Sequence, residues 1–129
     1  MQTFTTQMLD GLASKAKVNP RLRQHIHIHY SYQDPCQRLF NAIEPGSYIR
    51  PHKHATDPRD EMLVAVRGLM ALVTFNDDGE VTEAVRFGSE KYGADCAVGV
   101  ELPLGTWHTV VALVPGCVLL EVGGEGRAF

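Results

Sequence analysis

Between Gly46 and His54 the chain reads Gly46-Ser-Tyr-Ile-Arg-Pro-His52-Lys-His54, and Glu61 and the run Pro103-Leu-Gly-Thr-Trp-His108 follow downstream. In a β-strand the side chains at i and i+2 point to the same face, so His52 and His54 aim in one direction. With Glu61 and His108 they supply three imidazoles and one carboxylate, in an order that can close around one metal ion. Such ligands suit zinc, iron, manganese, nickel or cobalt. Four protein ligands leave room for water or substrate, as a reactive site requires.

These residues resemble the two signature motifs of the cupin superfamily, G-x5-H-x-H-x3,4-E-x6-G and G-x5-P-x-G-x2-H-x3-N. The first motif matches Gly46, His52, His54, Glu61 and Gly68, and the second matches Pro103, Gly105 and His108. The resemblance implies that His52, His54, Glu61 and His108 bind one divalent transition metal, either Fe, Mn, Zn or Ni. This chain departs from the pattern in three places. Six residues separate His54 from Glu61, so the loop must bulge, and Ala97 and Ala112 replace a glycine and an asparagine of the second motif.

A narrower resemblance covers nearly the whole chain. The runs Gln37–Ala42, Phe75–Gly79 and Pro115–Val122 are similar to the WbuC-type cupin-fold metalloproteins. That family is associated with bacterial gene clusters for cell-surface polysaccharides and has no defined reaction. The resemblance implies the cupin fold, the metal site and, because cupins of this size commonly pair, a homodimer.

The length predicts a single domain over residues 1–129, which the resemblance implies to be a cupin domain. The chain is 44% hydrophobic and 21% charged, with a formal net charge of −3, which gives no electrostatic reason to expect nucleic acid or an anionic membrane as partner. No apolar run is long enough to span a bilayer. The start of the chain does not read as a secretory signal, and its three widely spaced cysteines fit a reducing compartment, so we expect a cytoplasmic protein.

Hydrophobic periodicity predicts one helix followed by short strands. The helix covers about residues 5–18, with Thr5 or Thr6 as N-cap. The barrel covers about residues 23–122, with strands at Arg38–Glu44, Ser47–His52, Met62–Arg67, Leu69–Phe75, Thr82–Phe87, Ala97–Leu102, Trp107–Leu113 and Val118–Val122. Turns containing Gly and Pro separate them, and Asp77-Asp78-Gly79 between two alternating apolar runs predicts a hairpin. This pattern indicates an all-β fold, either an antiparallel sandwich or a jelly-roll barrel, with a short N-terminal α-helix. The resemblance to cupins implies that it is a double-stranded β-helix, the jelly-roll or cupin barrel.

Strict alternation places His25, His27 and His29 on one face of the first strand. One interpretation is an edge strand whose polar face meets solvent or a partner subunit. The other is that His27 or His29 lines the metal pocket as an acid, a base or a substrate contact.

The alternation of side chains along a strand indicates which neighbours of the predicted ligands could also face the metal site. Tyr48 and Arg50 would share the face of His52, which makes Tyr48 a third candidate for proton transfer and Arg50 a candidate substrate ligand or a rim salt bridge. Arg38 and Asn41 are also candidate substrate ligands. They face opposite sides of their strand, so only one of them can enter the barrel.

Three functions are compatible with these features. The first is a metal-dependent enzyme, an isomerase or epimerase or else a dioxygenase, that acts on a small oxygen-rich, sugar-like substrate linked to cell-surface polysaccharide metabolism. The second is a non-catalytic, metal-stabilised sensor or binding module for a small molecule. The third is a structural cupin subunit with an incidental metal.

Overall fold

A computed structural model of the protein describes residues 1–31, 33–53 and 60–123. The helix α1 spans Thr6–Val18, and a short 3-10 helix spans Glu90–Tyr92. Eight strands occur in the described ranges: β1 (Arg23–His27), β2 (Arg38–Ile43), β3 (Glu61–Arg67), β4 (Leu69–Phe75), β5 (Val81–Gly88), β6 (Gly99–Leu102), β7 (Trp107–Ala112) and β8 (Cys117–Gly123). The predicted pattern of one helix followed by short strands is confirmed.

The helix begins where its sequence predicts. The backbone N–H of Met8 donates to the Thr5 hydroxyl at 3.1 Å, which satisfies one of the donors that a helix N-terminus leaves open. Leu9, Leu12 and Ala16 are buried and lie three to four residues apart, on one face of the helix. They pack against the outer face of the large sheet, where Phe40, Ala42 and Val118 complete the cluster.

The strands form two antiparallel sheets. The larger sheet has the strand order β1-β2-β8-β3-β6, and the smaller one has the order β5-β4-β7. Alternation along each strand divides its side chains between two faces. In β8, Cys117 and Leu119 point to the interior between the sheets, whereas Val118 points to α1. The interior core also contains Ile43, Leu63, Met70, Leu72, Phe87, Leu102 and Val110.

The segment Ser47–His52, predicted as a strand, is not one. Only His52 pairs, through an isolated antiparallel bridge in which His52 and His108 exchange backbone hydrogen bonds of 2.9 and 3.0 Å. Ile49 is 3% exposed and Tyr48 is 74% exposed, so the segment shows strand-like alternation without a neighbouring strand. Pro51 supplies no N–H for a ladder, which removes one bond where the segment approaches β7.

The strand predicted from Arg23 towards Tyr30 ends at His27. It is an edge strand, because it pairs only with β2 in the order of the large sheet. The predicted hairpin at Asp77-Asp78-Gly79 is confirmed, since β4 and β5 pair antiparallel on either side of it. Among the helices described, none has the length and apolar character needed to cross a membrane.

Candidate metal centre

His52 and His108 are brought together by the bridge between their backbones. Their ring centroids lie 4.4 Å apart, with an angle of 53° between the ring planes. The bridge joins residues 56 positions apart in the chain, so the approach of the two rings depends on the tertiary fold.

Each of these imidazoles is oriented by a backbone carbonyl. The Nδ1 of His52 lies 2.9 Å from the carbonyl oxygen of Arg50, and the Nδ1 of His108 lies 2.8 Å from that of Thr106. A carbonyl oxygen only accepts, so Nδ1 must carry the proton in both rings. The Nε2 of each neutral ring then presents a lone pair. Both Nε2 atoms are buried. This is the tautomer that a histidine needs to bind a metal through Nε2.

Glu61 approaches the same place from the other sheet. It is the first residue of β3, and its Oε2 lies 3.6 Å from the Nε2 of His108. Glu61 is 5% exposed and His108 is 1% exposed. His54, the fourth predicted ligand, lies outside the described residues. Among the residues that are described, no three His, Cys, Asp or Glu side chains converge on one point as a metal site would require.

Glu121 is an additional buried carboxylate beside this group. It is 4% exposed and lies on β8 opposite Leu63 of β3, which places it diagonally from Glu61. Burial, the negative charge of Glu61 and a hydrogen bond shared with Glu61 raise the pKa of Glu121 well above its ordinary value. Two carboxylates in contact away from water do not both ionise unless a cation accompanies them. Two oriented imidazoles and adjacent carboxylates have the donor chemistry that divalent metals prefer, although the described side chains do not converge on one point.

Sequence reasoning did not identify Glu121 as a functional residue. It interrupts the apolar run Cys117–Val122, and its parity is that of the inward-facing Leu119. A charged residue at an inward position of a buried strand is the signal that could have found it.

Asn41, and not Arg38, enters the barrel. Asn41 is 1% exposed, and it lies diagonally from Glu121 in the pairing of β2 with β8. It is close enough to the Glu121 carboxyl to lower the pKa of that group. Yet within the described ranges neither Oδ1 nor Nδ2 of Asn41 forms a hydrogen bond of good geometry. A buried amide without such bonds costs about 1–3 kcal/mol, so its retention points to a ligand contact.

Arg38 lies on the opposite face of β2. Its Nε donates to the carbonyl oxygen of Cys36 at 3.3 Å, and its guanidinium lies 3.9 Å from the carboxylate of Asp34. This arrangement anchors the turn before β2. Arg38 is therefore corrected from a candidate substrate ligand to a residue that stabilises a surface turn.

Tyr48 and Arg50 do not share the environment of His52. Tyr48 is 74% exposed and Arg50 is exposed, whereas the Nε2 of His52 is buried. The expected common face is wrong, because the alternation that places Ile49 in the core does not continue through Pro51. Within the described ranges, Arg50 contributes the carbonyl oxygen of its backbone to the site.

His25 and His27 of β1 and His29 just after it form an edge-to-face stack, hereafter the histidine ladder. Their ring centroids are 4.9 Å apart between His25 and His27, and 4.7 Å apart between His27 and His29. The ladder is on the inner face of the large sheet, because His25 pairs with the inward-facing Asn41. Two strands, β2 and β8, lie between β1 and β3 and so separate the ladder from Glu61.

Burial lowers the pKa of His27, and neighbouring His25 and His29 lower it further. The pKa of His25 is lowered by burial and by Arg21 and Arg23. The Nδ1 of His29 lies 2.8 Å from the carbonyl oxygen of Arg38 and 2.9 Å from its backbone nitrogen. It donates to the carbonyl in one tautomer or accepts from the N–H in the other, and either bond attaches the end of the ladder to β2.

Two cavities adjoin the candidate centre. The smaller has a volume of about 10 Å³, the size of one water molecule, and is lined by Glu61, His108 and residues 102–106. The larger has a volume of about 310 Å³ and is lined by parts of β4, β5 and β6 and by Pro103 and Thr106. Because Leu102, Pro103 and Thr106 line both, the larger cavity opens beside the candidate ligands.

Comparison with solved structures places this fold among known proteins. The chain is similar to KdgF from Halomonas sp., with 19% identity over 85% of each chain and a TM-score of 0.59. It is similar to oxalate decarboxylase from Bacillus subtilis, with 15% identity, a TM-score of 0.58 and coverage of 83% of this chain but 26% of that one. A conserved protein of unknown function from Streptococcus pyogenes, SPY1581, has 16% identity, coverage of 82% and 77%, and a TM-score of 0.58.

These likenesses are to cupin-fold proteins, and at such identities they show the fold alone. The predicted jelly roll with its leading helix is thereby confirmed. No curated protein matches the chain. The family described as "Domain of unknown function (DUF6016)" matches residues 4–87, which is more than half of the chain. The chain therefore belongs to the DUF6016 family, and its fold is the cupin jelly roll.

Proposed function

We propose that this protein binds one divalent transition-metal ion, Fe, Mn, Zn or Ni, through His52, His54, Glu61 and His108. The observation that carries the proposal is the pair of Nδ1–carbonyl hydrogen bonds on His52 and His108. They set both rings in the tautomer whose Nε2 can bind a metal, on the side where Glu61 lies. His54 joins this set by its place in the cupin motif.

The most economical function for such a centre is a metal-dependent enzyme that acts on a small oxygen-rich, sugar-like molecule. A bound ion supplies Lewis-acid or redox chemistry, which would serve an isomerase or epimerase in the first case and a dioxygenase in the second. The cavity of about 310 Å³ beside His108 has the volume of a small-molecule site. The resemblance of residues 37–42 and 115–122 to WbuC-type proteins supports a link to cell-surface polysaccharides.

The chain's own residues have distinct parts in this proposal. Asn41 offers to a substrate hydroxyl or carbonyl a buried amide that lies beside Glu121 and forms no hydrogen bond of good geometry within the described ranges. Glu121 is a buried carboxyl that lies against Glu61, so it is better placed to hold a proton near the centre than the exposed Tyr48. His27 and His29 remain proposals for proton transfer along the inner face of the large sheet.

One observation favours the alternative of a non-catalytic, metal-stabilised sensor or binding module. The cavity that Glu61 and His108 help to line is only about 10 Å³, so little space is left beside these two side chains. In that case the metal would chiefly stabilise the fold, and chelation would lower the melting temperature without abolishing any turnover.

A homodimer and a cytoplasmic location are also proposed. The dimer follows from the cupin resemblance, and the exposed Ile26 on the edge strand β1 is compatible with a contact there. All three cysteines are free thiols, as expected in a reducing compartment. Light scattering of the purified protein would test the dimer.

The experiment that tests the metal proposal is elemental analysis of untagged protein purified without oxygen, beside His108→Ala and a control, His25→Ala. His25 is an exposed imidazole of the histidine ladder, so its loss removes a histidine without touching the centre. We expect about one equivalent of metal in the wild type and the control, and none in His108→Ala. Metal absent from the wild type even after reconstitution would contradict the proposal.

A further inference from the structure

We propose that the cavity of about 310 Å³ binds an uncharged polyhydroxylated molecule, such as a neutral sugar, and that Glu83 disfavours the corresponding sugar acid. This inference rests on the proposed function, because the cavity opens beside the candidate metal centre. It goes further in choosing among oxygen-rich ligands by their charge.

The cavity lies between the two sheets, near the edges formed by β5 and β6. These strands are the terminal members of the small and the large sheet, respectively. Leu72 and Val85 form a wall from the small sheet, and Val100 faces them from β6. Thr106 and Pro103 connect this space to the cavity that Glu61 and His108 line. A ligand in the larger cavity would therefore extend toward the metal ligands.

The walls suit the two kinds of surface that a sugar presents. The aliphatic side chains of Leu72, Val85 and Val100 can cover the C–H face of a ring. Thr74 and Thr106 add hydroxyl groups. The Thr106 hydroxyl already donates to the carbonyl oxygen of Pro103 at 2.8 Å, so its remaining capacity is to accept a hydrogen bond from a ligand hydroxyl.

The charge of the lining decides which ligand fits. Glu83 and Glu101 are the charged residues that line the cavity in the described part of the chain, and no Lys or Arg lines it there. Glu83 is on the inner face of β5, because it pairs with Thr74 and alternates with Val85 and the buried Phe87. Glu101 alternates with Val100 and the buried Leu102, which directs its side chain away from the core.

An anionic ligand would meet a like charge at Glu83 without a guanidinium or ammonium to pair with it. Sites built for carboxylates or phosphates commonly supply such a cation. A neutral polyol instead donates its hydroxyl protons to the Glu83 carboxylate. Coulomb's law in water predicts that one like charge about 6 Å from a ligand carboxylate weakens its binding about threefold.

The test uses three matched pairs of probes: glucose and glucuronate, galactose and galacturonate, mannose and mannuronate. Binding to the protein, with its metal content measured, is followed by the methyl NMR signals of Leu72, Val85 and Val100. These signals report occupancy of the cavity and do not depend on turnover. The variant is Glu83→Gln, which keeps the shape and removes the charge. The matched control is Glu80→Gln, an exposed glutamate of the same hairpin that does not line the cavity.

We expect at least one neutral sugar to bind about threefold or more tightly than its acid, and this gap to close in Glu83→Gln but not in Glu80→Gln. A sugar acid that binds as tightly as its neutral partner, or more tightly, would overturn the inference. If none of the six probes shifts the methyl signals while one equivalent of metal is present, the carbohydrate inference is wrong and the metal proposal stands. If the protein holds no metal, the proposed function fails independently of the sugar result.

Discussion

The Nε2 atom of His108 lies 3.6 Å from the Oε2 atom of Glu61, although His108 belongs to the small sheet and Glu61 to the large one. The candidate centre is therefore a contact between the two layers of the jelly roll. A cation held there would join the sheets, so its binding should be measurable as stability of the whole fold.

The first prediction concerns Glu61. The Glu61→Gln variant should bind the metal at least about tenfold more weakly, since the loss of residues that merely support a ligand already costs about 10–100-fold. The wild type should gain about 2.7 kcal/mol of stability when the free metal is at 100 times its dissociation constant, and the variant much less. Calorimetric titration and urea denaturation with and without a chelator measure both effects.

Glu44→Gln is the matched control for this variant. Glu44 is also a buried glutamate, at 9% exposure, but its carboxylate accepts from the backbone N–H of Gly116. It should lose stability without losing metal affinity. Equal metal affinity in Glu61→Gln and Glu44→Gln would show that Glu61 is not a ligand.

The second prediction is a pH dependence that arises from Glu121 in the metal-free protein. Its pKa is raised in the folded state above the ordinary value of 4.5, chiefly by burial, so the folded protein binds this proton more tightly than the unfolded chain. Below pH 4.5 the group is protonated in both states. As the pH rises above 4.5, the unfolded chain ionises first, and the stability falls by up to about 1.4 kcal/mol per pH unit until the folded pKa is reached.

Glu121→Gln removes the titrating group and keeps its shape. We expect the chelator-treated variant to gain stability relative to the wild type as the pH rises from 4.5 to 8, as measured by urea denaturation at each pH. Parallel stability curves for the two proteins would contradict the raised pKa.

Much of the fold was predictable because local patterns and tertiary packing agree. In α1 the apolar period, the Thr5 cap and the buried face coincide, and the hairpin at Asp77-Asp78-Gly79 has its turn residues between two alternating strands. The strand prediction for Ser47–His52 was wrong because periodicity indicates which side chains are buried. It does not indicate whether a neighbouring strand is available to pair.

The site was predictable to a lesser extent. The cupin motif selects His52, Glu61 and His108 as candidate ligands, and the fold places His108 against each of the other two. It could not identify Glu121, because the contact between Glu121 and Glu61 depends on the pairing of β3 with β8, which are far apart in sequence. Which of Arg38 and Asn41 enters the barrel also depends on tertiary structure, because it is decided by the face of β2 that packs against the core.

The third prediction concerns the histidine ladder. Burial first, and then His25 and His29, lower the pKa of His27 below its ordinary value of 6.5. At pH values above 6.5 the ring is neutral in both the folded and the unfolded state. As the pH falls below 6.5 the unfolded chain gains the proton first, so this residue should destabilise the protein on acidification.

NMR titration of the imidazole protons should therefore place the His27 midpoint below 6.5. The His27→Gln variant should lose less stability than the wild type as the pH falls below 6.5. The variant keeps Arg21 and Arg23, the charged neighbours of the ladder, so the difference reports His27 itself. A midpoint at or above 6.5 would show that the ladder is better solvated than its packing indicates.

The last prediction uses two glycines to separate backbone strain from damage to the site. Gly123 has φ = 95° and Gly79 has φ = 82°, so alanine is strained at both positions. At Gly79 an added Cβ would meet no atom within 4 Å, whereas at Gly123 it would overlap the carbonyl oxygen of Asp60, beside Glu61. Gly79→Ala should cost about 1–2 kcal/mol of stability and leave metal affinity unchanged.

Gly123→Ala should cost more, because backbone atoms cannot yield as a flexible side chain can. The displaced segment carries Glu61, which pairs with Gly123 across β3 and β8, so metal affinity should fall together with stability. Urea denaturation and calorimetric metal titration of both variants provide the comparison. If the two alanine variants lose the same stability and both retain the wild-type affinity, then the position of Glu61 does not depend on its close approach to β8.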